Sequence, residues 1–361
     1  MPAPPPERLE ANYPRSMAAT TGGRSRTLSG RIVFLLVGLV TLYVLWPSLL
    51  AVFSTGPELL SLDPVWFAAI LALEGASFAA AWALQRFALR TNKWFGVATA
   101  QLAGNAVSRI VPAGAAAGGA VQFRMLVAAG VDATAVGTGL AAASLISTAT
   151  LLALPLLAVP AMIAGRPVPS GLVPAAWLGA GFFAVAFAAG LVLLTTDTPL
   201  DRLGRAIEWL LNRIRRGSRT MGLPAQLRTA RDAIRRDLGR KWWEALLASL
   251  GNWLFDYLAL LAALTAVGSR PRPSLVLLAY VASMLLGMIP LTPGGLGFVE
   301  AGLTTLLVVA GVTARDAALA TLAYRLVSYW LPLPAGLVAA ALHRRRYGRG
   351  AVPPLGTVAG S

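Results

Sequence analysis

The chain has 361 residues, 57% of them hydrophobic and 13% charged, with a mean hydropathy of +0.67. Soluble domains carry about a quarter charged residues, so this composition excludes both a disordered chain and an ordinary soluble one. Cysteine is absent and His343 is the single histidine, which removes disulfides, thiolate chemistry, a His-based zinc site and a Ser-His-Asp triad built on a core histidine. The net charge of +16 on so apolar a chain points to anionic lipid rather than nucleic acid as the partner.

Residues 1–31 are polar and rich in Pro, Ser and Arg, without the apolar core and cleavage site of a signal peptide. They are expected to form a disordered cytoplasmic tail. The first apolar run, Ile32–Phe53, is long enough for a membrane helix, which takes about 20 residues. Further spans are expected at Val65–Phe87, Val131–Ala164, Leu172–Thr195, Trp242–Val267 and Ala314–Leu342. Two apolar stretches fit badly as simple spans. Residues 96–129 contain Asn105, Arg109, Pro112, Gly118, Gly119 and Arg124, and residues 274–312 contain Pro290, Pro293, Gly294, Gly295, Gly297 and Glu300. Pro and Gly at this density break helices.

Most Lys and Arg lie in residues 1–31, around Arg86–Lys93, in 196–241 and after Leu342. The positive-inside rule places these on the cytoplasmic side, with both termini cytoplasmic, provided that each broken region crosses an even number of times. Each is therefore expected to be a re-entrant hairpin, the first entered from the cytoplasm and the second from outside. The two regions also match each other at an offset of 181: Pro112-Ala113-Gly114 lies over Pro293-Gly294-Gly295, and Ala129-Gly130-Val131 over Ala310-Gly311-Val312. Glu74 and Asp256 occupy similar places in the spans ahead of them.

The expected architecture is thus an all-α, polytopic integral membrane protein with about six full spans and two re-entrant broken-helix hairpins, arranged as an inverted-topology repeat. Unit 1 is 32–195 with hairpin 96–129, and unit 2 is 242–342 with hairpin 274–312. A basic amphipathic linker, 196–241, joins them on the cytoplasmic face, and 343–361 is a basic cytoplasmic tail. Inverted repeats with discontinuous helices are a transporter pattern.

A charge inside a membrane is costly, so each one is a candidate for function. In Pro290–Glu300 the prolines end one half-helix, and Gly294, Gly295 and Gly297 let backbones approach closely. The next half-helix then starts inside the membrane with its positive dipole end, which suits a phosphate or carboxylate. Glu300 is placed to take a proton, hold a cationic group or pair with Arg325, whose depth in its span argues against snorkelling. Arg109 and Arg124 flank the first break. Asn252 and Asp256, one helical turn apart, share a face. The structural alternatives are a glycine kink for helix packing, arginines that snorkel to the interface, and interhelical hydrogen bonds. The aromatic residues Trp46, Trp242, Trp243, Tyr329 and Trp330 are read as belt or packing residues.

Pro290–Glu300 with Gly302, followed by Arg325 in a later span, resembles the signature of the lysylphosphatidylglycerol synthase transmembrane (flippase-like) family. Asn105–Arg124 resembles that family's other loop, with Gly119-Ala120 where an acidic residue is expected after the glycine. The resemblance covers about residues 30–345. It implies a stand-alone membrane domain without the soluble aminoacyl-transferase half, so neither an enzyme nor a cofactor is expected. It implies a cell-membrane lipid transporter for an anionic or lipid-linked headgroup: a phospholipid, an aminoacyl-phospholipid or a polyprenyl-phosphate sugar. The substrate-binding candidates are Asn105, Arg109, Pro112, Arg124, Asn252, Asp256, Pro293, Gly294, Gly295, Gly297, Glu300 and Arg325, with no metal site. Membrane lipids and cell-envelope biosynthetic enzymes are the expected partners. A membrane-embedded transferase or hydrolase acting on a lipid-linked substrate, and a cell-envelope scaffold, are the other readings. No GxxxxGK[ST] motif supports ATP-driven transport.

Overall fold

The structure is a computed structural model, and it describes residues 63–111, 114–158, 196–214, 242–288 and 293–348, with isolated positions between 181 and 232. The expected spans Ile32–Phe53 and Leu172–Thr195, and Pro112 and Pro290, lie outside the described residues. Every regular element among the described residues is helical.

Helix α1, Pro64–Leu89, starts where the Asp63 side chain accepts the Val65 amide and Pro64 supplies a pre-set φ. It stops at Arg90, held in the left-handed conformation by bonds to the Arg86 and Phe87 carbonyls. Helix α2, Trp94–Ile110, ends at the extended Val111, and α3, Gly114–Ala128, packs back against it. Their contact is closest at glycines: a Cβ on Gly104 would lie 2.9 Å from the Gly118 carbonyl. Helix α4, Ala133–Ala153, comes next and continues as a 3₁₀ turn through Ala158. Helix α5, Asp197–Ile214, lies in the basic linker, and Arg228 pairs with its Asp201.

Helix α6, Trp242–Ala266, packs along α1, where Ser77 donates to the Asn252 carbonyl at 2.9 Å. Helix α7, Pro273–Gly287, leads to a 3₁₀ turn at Pro293–Gly295 and then to α8, Phe298–Val309. Gly294, Gly295 and Gly297 all have positive φ, so the break needs residues without a Cβ. Helix α9, Ala314–Arg325, passes through a π turn, Leu326–Trp330, into α10, Pro332–Tyr347. The expected last span is therefore one long helix with a π turn in its middle. It runs past the expected start of the tail at 343, because His343 is fully buried against α2 and α3.

The exits of the two hairpins share their hydrogen bonds. Gly130 and Val131 donate to the Val127 and Leu126 carbonyls, and Asp132 then caps Ala135. Gly311 and Val312 donate to Val308 and Leu307, and Thr313 caps Asp316. Each pair of equivalent positions is 181 residues apart. Glycine is required at both turns, with φ of 80° at Gly130 and 97° at Gly311.

The main core joins α1, α6, α7, α8 and α9 through Ile70, Leu260, Leu264, Tyr280, Leu303, Leu307 and Tyr324. A second cluster, Leu89, Val97, Met125, Leu126 and Val136, binds the first hairpin to α1 and α4. Among the described residues, four helices are long and apolar enough to cross a membrane: Pro64–Leu89, Ala133–Leu157, Trp243–Ala266 and Ala314–Tyr347. Their outer faces leave Val65, Leu71, Leu145, Leu247, Leu337 and Val338 exposed. Apolar residues on all sides of a helix need a hydrocarbon surrounding. The chain is a polytopic, all-α membrane protein.

Candidate functional site

A cavity of about 800 Å³ opens where the two helix breaks meet α1, α4, α6 and α9. Its walls mix polar with apolar groups, in a protein whose outer faces are apolar. Asn105 and Arg109 reach it from α2, Gly118 and Gly119 from the start of α3, Asn252 and Asp256 from α6, and Gly294 and Gly295 from the second break. Glu74, Ser77, Gln85, Gln101, Ser108, Gln122, Ser144, Ser147, Thr148, Tyr324, Arg325 and Ser328 add further polar side chains to the lining.

The π turn organises the cationic part. Tyr329, which is 2% exposed, meets two guanidinium groups with its ring, Arg109 at 4.9 Å and Arg325 at 4.4 Å from the centroid. Arg109 Nη1 donates to the Tyr329 carbonyl at 2.6 Å, and the Tyr329 hydroxyl donates back to the Arg109 carbonyl at 3.1 Å. This arrangement holds the first hairpin against the last long helix. The local sequence explains the open carbonyl. Pro332 and Pro334 have no N–H to offer the preceding turn, and the ladder widens so that Leu331 donates five residues back to Leu326.

Arg325 Nε donates to Glu300 Oε1 at 2.7 Å. Glu300 lies in the first turn of α8, where the helix dipole favours its negative charge. The pair is incompletely satisfied, because Arg325 Nη2 and Glu300 Oε2 are buried without hydrogen-bond partners, as is Ser328 Oγ one turn along. An unsatisfied buried guanidinium nitrogen beside a cavity is a donor held ready for an anion. Gly294 is equally constrained, since any Cβ there would run into the Tyr329 ring.

The acidic part lies along α1 and α6. Asp256 accepts from the Tyr280 hydroxyl on Oδ2 and from the Tyr324 hydroxyl, at 2.8 Å, on Oδ1. Glu74, 4% exposed, lines the same cavity, and its Oε1 has no partner.

The structure brings Asn105, Arg109, Asn252, Asp256, Gly294, Gly295 and Arg325 together around the cavity, with Glu300 behind Arg325. Arg124 is exposed on α3 and Gly297 is exposed at the cap of α8, and neither lines the cavity. Pro293 begins the 3₁₀ turn that carries Gly294 and Gly295. Sequence reasoning missed the role of Tyr329, read as a belt or packing residue. Its signal was its position four residues after Arg325 on a helix, which puts ring and guanidinium on one face. It also missed Tyr280 and Tyr324, which have no local signature. Among the described residues, no group of His, Asp and Glu is suited to hold a metal ion.

The family described as the lysylphosphatidylglycerol synthase TM region matches residues 32–336. A membrane protein of Methanothermobacter thermautotrophicus, named UPF0104 membrane protein, is 34% identical over 98 residues, covering 27% of this chain and 28% of that one. A second match to a UPF0104 membrane protein of that organism is 32% identical over 87 residues, covering 24% and 26%. These matches thus span little more than a quarter of the relatives' lengths. No solved structure matches.

Proposed function

Because the chain belongs to the lysylphosphatidylglycerol synthase TM region family, we propose that it is a lipid transporter that carries an anionic or lipid-linked headgroup between the leaflets of the cell membrane. One observation supports this above the others. A cavity lined by many polar side chains joins both helix breaks, and beside it Arg325, which meets the Tyr329 ring as Arg109 does, keeps a buried donor without a partner. In this reading a phosphate enters against Arg325 Nη2, Ser328 Oγ and Arg109, while the acyl or polyprenyl tails stay in the bilayer. The substrate class is a phospholipid, an aminoacyl-phospholipid or a polyprenyl-phosphate sugar. The two units form an inverted repeat with both termini cytoplasmic, and the cavity opens to each leaflet in turn. The reaction is movement, with no bond made or broken in the lipid.

A leaflet-accessibility assay tests this. Purified protein is reconstituted into vesicles carrying headgroup-labelled phospholipids or, separately, a polyprenyl-phosphate sugar, and an impermeant quencher is added. The expected result is protein-dependent loss of protection, abolished by Arg325→Ala and by Arg109→Ala. Unchanged transport in both variants refutes the site. Chemical conversion of the lipid in detergent, where there are no leaflets, overturns the transporter reading in favour of an enzyme.

A further inference from the structure

The anion reading uses one end of the cavity and leaves the other unassigned. Arg109 and Arg325 meet at Tyr329, and Asp256 is bonded to Tyr324, the neighbour of Arg325. Glu74 stands at the same level. Helices α1 and α6 run antiparallel, with Ile70 and Leu260 in one core cluster and Leu84 and Ala245 in another. Glu74 lies one turn before Ser77, and Asp256 lies one turn after Asn252, the partner of Ser77. All four charged residues of the lining therefore belong to this end.

The other end is made of amides. Gln85 is eleven residues beyond Glu74 on α1, and Gln101 is eight residues before Arg109 on α2. At about 1.5 Å per residue these glutamines lie about 16 Å and about 12 Å along their helices from the charged end. Gln122 on α3 joins them. Its Nε2 donates to Gln85 Oε1 at 2.9 Å, and its Cβ lies 3.2 Å from where Gly104, one turn after Gln101, would carry a Cβ.

Their hydrogen bonding is incomplete. The Gln85–Gln122 bond uses one of the two N–H donors of Gln122 and one lone pair of Gln85, so the pair keeps both donors and acceptors. Gln101 Oε1 is buried without a partner among the described residues. Amides that offer donors and acceptors side by side match hydroxyl groups, each of which does both. An ammonium group calls for a carboxylate, and the carboxylates of the lining stand at the opposite end. Between the ends, Phe78, one turn beyond Glu74, and Trp253, beside Asn252, line the wall, with Trp253 Nε1 donating to the Ser147 carbonyl at 2.9 Å. The negative faces of aromatic rings attract the slightly positive C–H faces of sugar rings. A ring of that size, in contact with protein at both ends, fits the separation of the arginines from the glutamines.

We propose that Gln85, Gln101 and Gln122 form a second subsite, which takes the hydroxyl groups of an uncharged sugar or cyclitol ring whose phosphate is held at Arg325. This rests on the reading of the cavity as an anion site and narrows its cargo to a phosphate that bears a polyhydroxyl ring.

The test measures calorimetric binding of short-chain lipids to the purified full chain in a sugar-free detergent. Phosphatidic acid presents the phosphate alone, while phosphatidylinositol and a polyprenyl-phosphate hexose add a hydroxylated ring. At least one ring-bearing lipid is expected to bind about tenfold or more tighter than phosphatidic acid, the gain from two hydrogen bonds. Preference for the inositol lipid identifies a phospholipid as the source of the ring, and preference for the hexose a carrier-linked sugar. In the double variant Gln101→Leu, Gln122→Leu the preference is expected to fall to within about twofold of phosphatidic acid. If that variant aggregates, Gln101→Asn, which keeps the amide but withdraws it by one methylene, replaces it and should weaken the preference several-fold. Equal binding of all lipids, a preference for phosphatidylethanolamine with its terminal ammonium, or a ring preference that the variants leave intact overturns the proposal while the anion reading stands. Octyl glucoside, a ring without phosphate, separates the two: its binding where phosphatidic acid does not bind supports the glutamine subsite and refutes the anion reading. Binding of no probe overturns both.

Discussion

Replacing Arg325 and Glu300 by glutamine, singly and together, measures how far the buried ion pair holds the second break to the last helix. The two side chains are 10% and 15% exposed and meet at 2.7 Å. At an effective dielectric of about 20, charges at that distance attract by about 6 kcal/mol before desolvation is subtracted. Removing one partner strands the other charge, and such losses run to about 3–5 kcal/mol. Arg325→Gln also gives up the contact with the Tyr329 ring, about 1 kcal/mol more. The double variant strands neither charge, so its cost should fall below the sum of the single costs by about 2 kcal/mol or more. Unfolding of the purified protein, followed by tryptophan fluorescence, gives the three values. Additivity within about 0.5 kcal/mol would refute the argument, because it would mean that the two charges do not depend on each other.

Glycine positions give two sharper contrasts. Gly294→Ala should lower stability by more than about 3 kcal/mol, since φ of 60° and the Tyr329 ring both oppose a Cβ, whereas Gly297→Ala, with open space around it, should lose about 1–2 kcal/mol from backbone strain alone. Gly118→Ala meets the Gly104 carbonyl and should destabilise by about 1–3 kcal/mol, while Gly119→Ala meets nothing and should gain about 0.5–1 kcal/mol of helix stability; thermal unfolding compares the two. His343→Ala removes one of two donors to the Met125 carbonyl, the other being the Ala129 N–H, and empties a fully buried site; it should cost about 1–3 kcal/mol, against no measurable change for the exposed Arg344→Ala. In the vesicle assay, Arg124→Ala should leave translocation within about twofold of the wild type, because that side chain is exposed away from the cavity and any effect would be through surface charge alone. A tenfold loss would place Arg124 on the substrate's path.

How much the sequence disclosed depends on the kind of residue that carried each signal. The spans containing Glu74 and Asp256 were legible because apolar length is enough to name a membrane helix. The helix breaks were legible because Gly294, Gly295 and their prolines permit few other backbones. Charge in an apolar run led to Arg109, Asp256, Glu300 and Arg325, since each has to be explained by a partner or a ligand. Arg124 shows the limit of that reasoning: being near a break in the chain does not fix which way a helix turns its side chains. The π turn was hidden because Leu326–Trp330 contains no breaker, and its cause lies downstream in Pro332 and Pro334. His343 looked like part of a tail because the arginines beside it are exposed, while its own ring is enclosed by residues more than two hundred positions away.

The π turn also sets the phase of the whole last helix. Arg325 and His343 are 18 residues apart, which in an uninterrupted α-helix is five turns and would put both on one face. The extra residue of the π turn rotates α10 relative to α9 by about 100°, so that one end of the helix presents Arg325 to the cavity and the other presents His343 to the seam between α2 and α3. Deleting a single residue between 326 and 330 would rewind the helix to its regular pitch and swing one of these side chains out of place. The number of residues in this segment is thus a geometric constraint of its own, separate from the contacts that Tyr329 makes with Arg109 and Arg325.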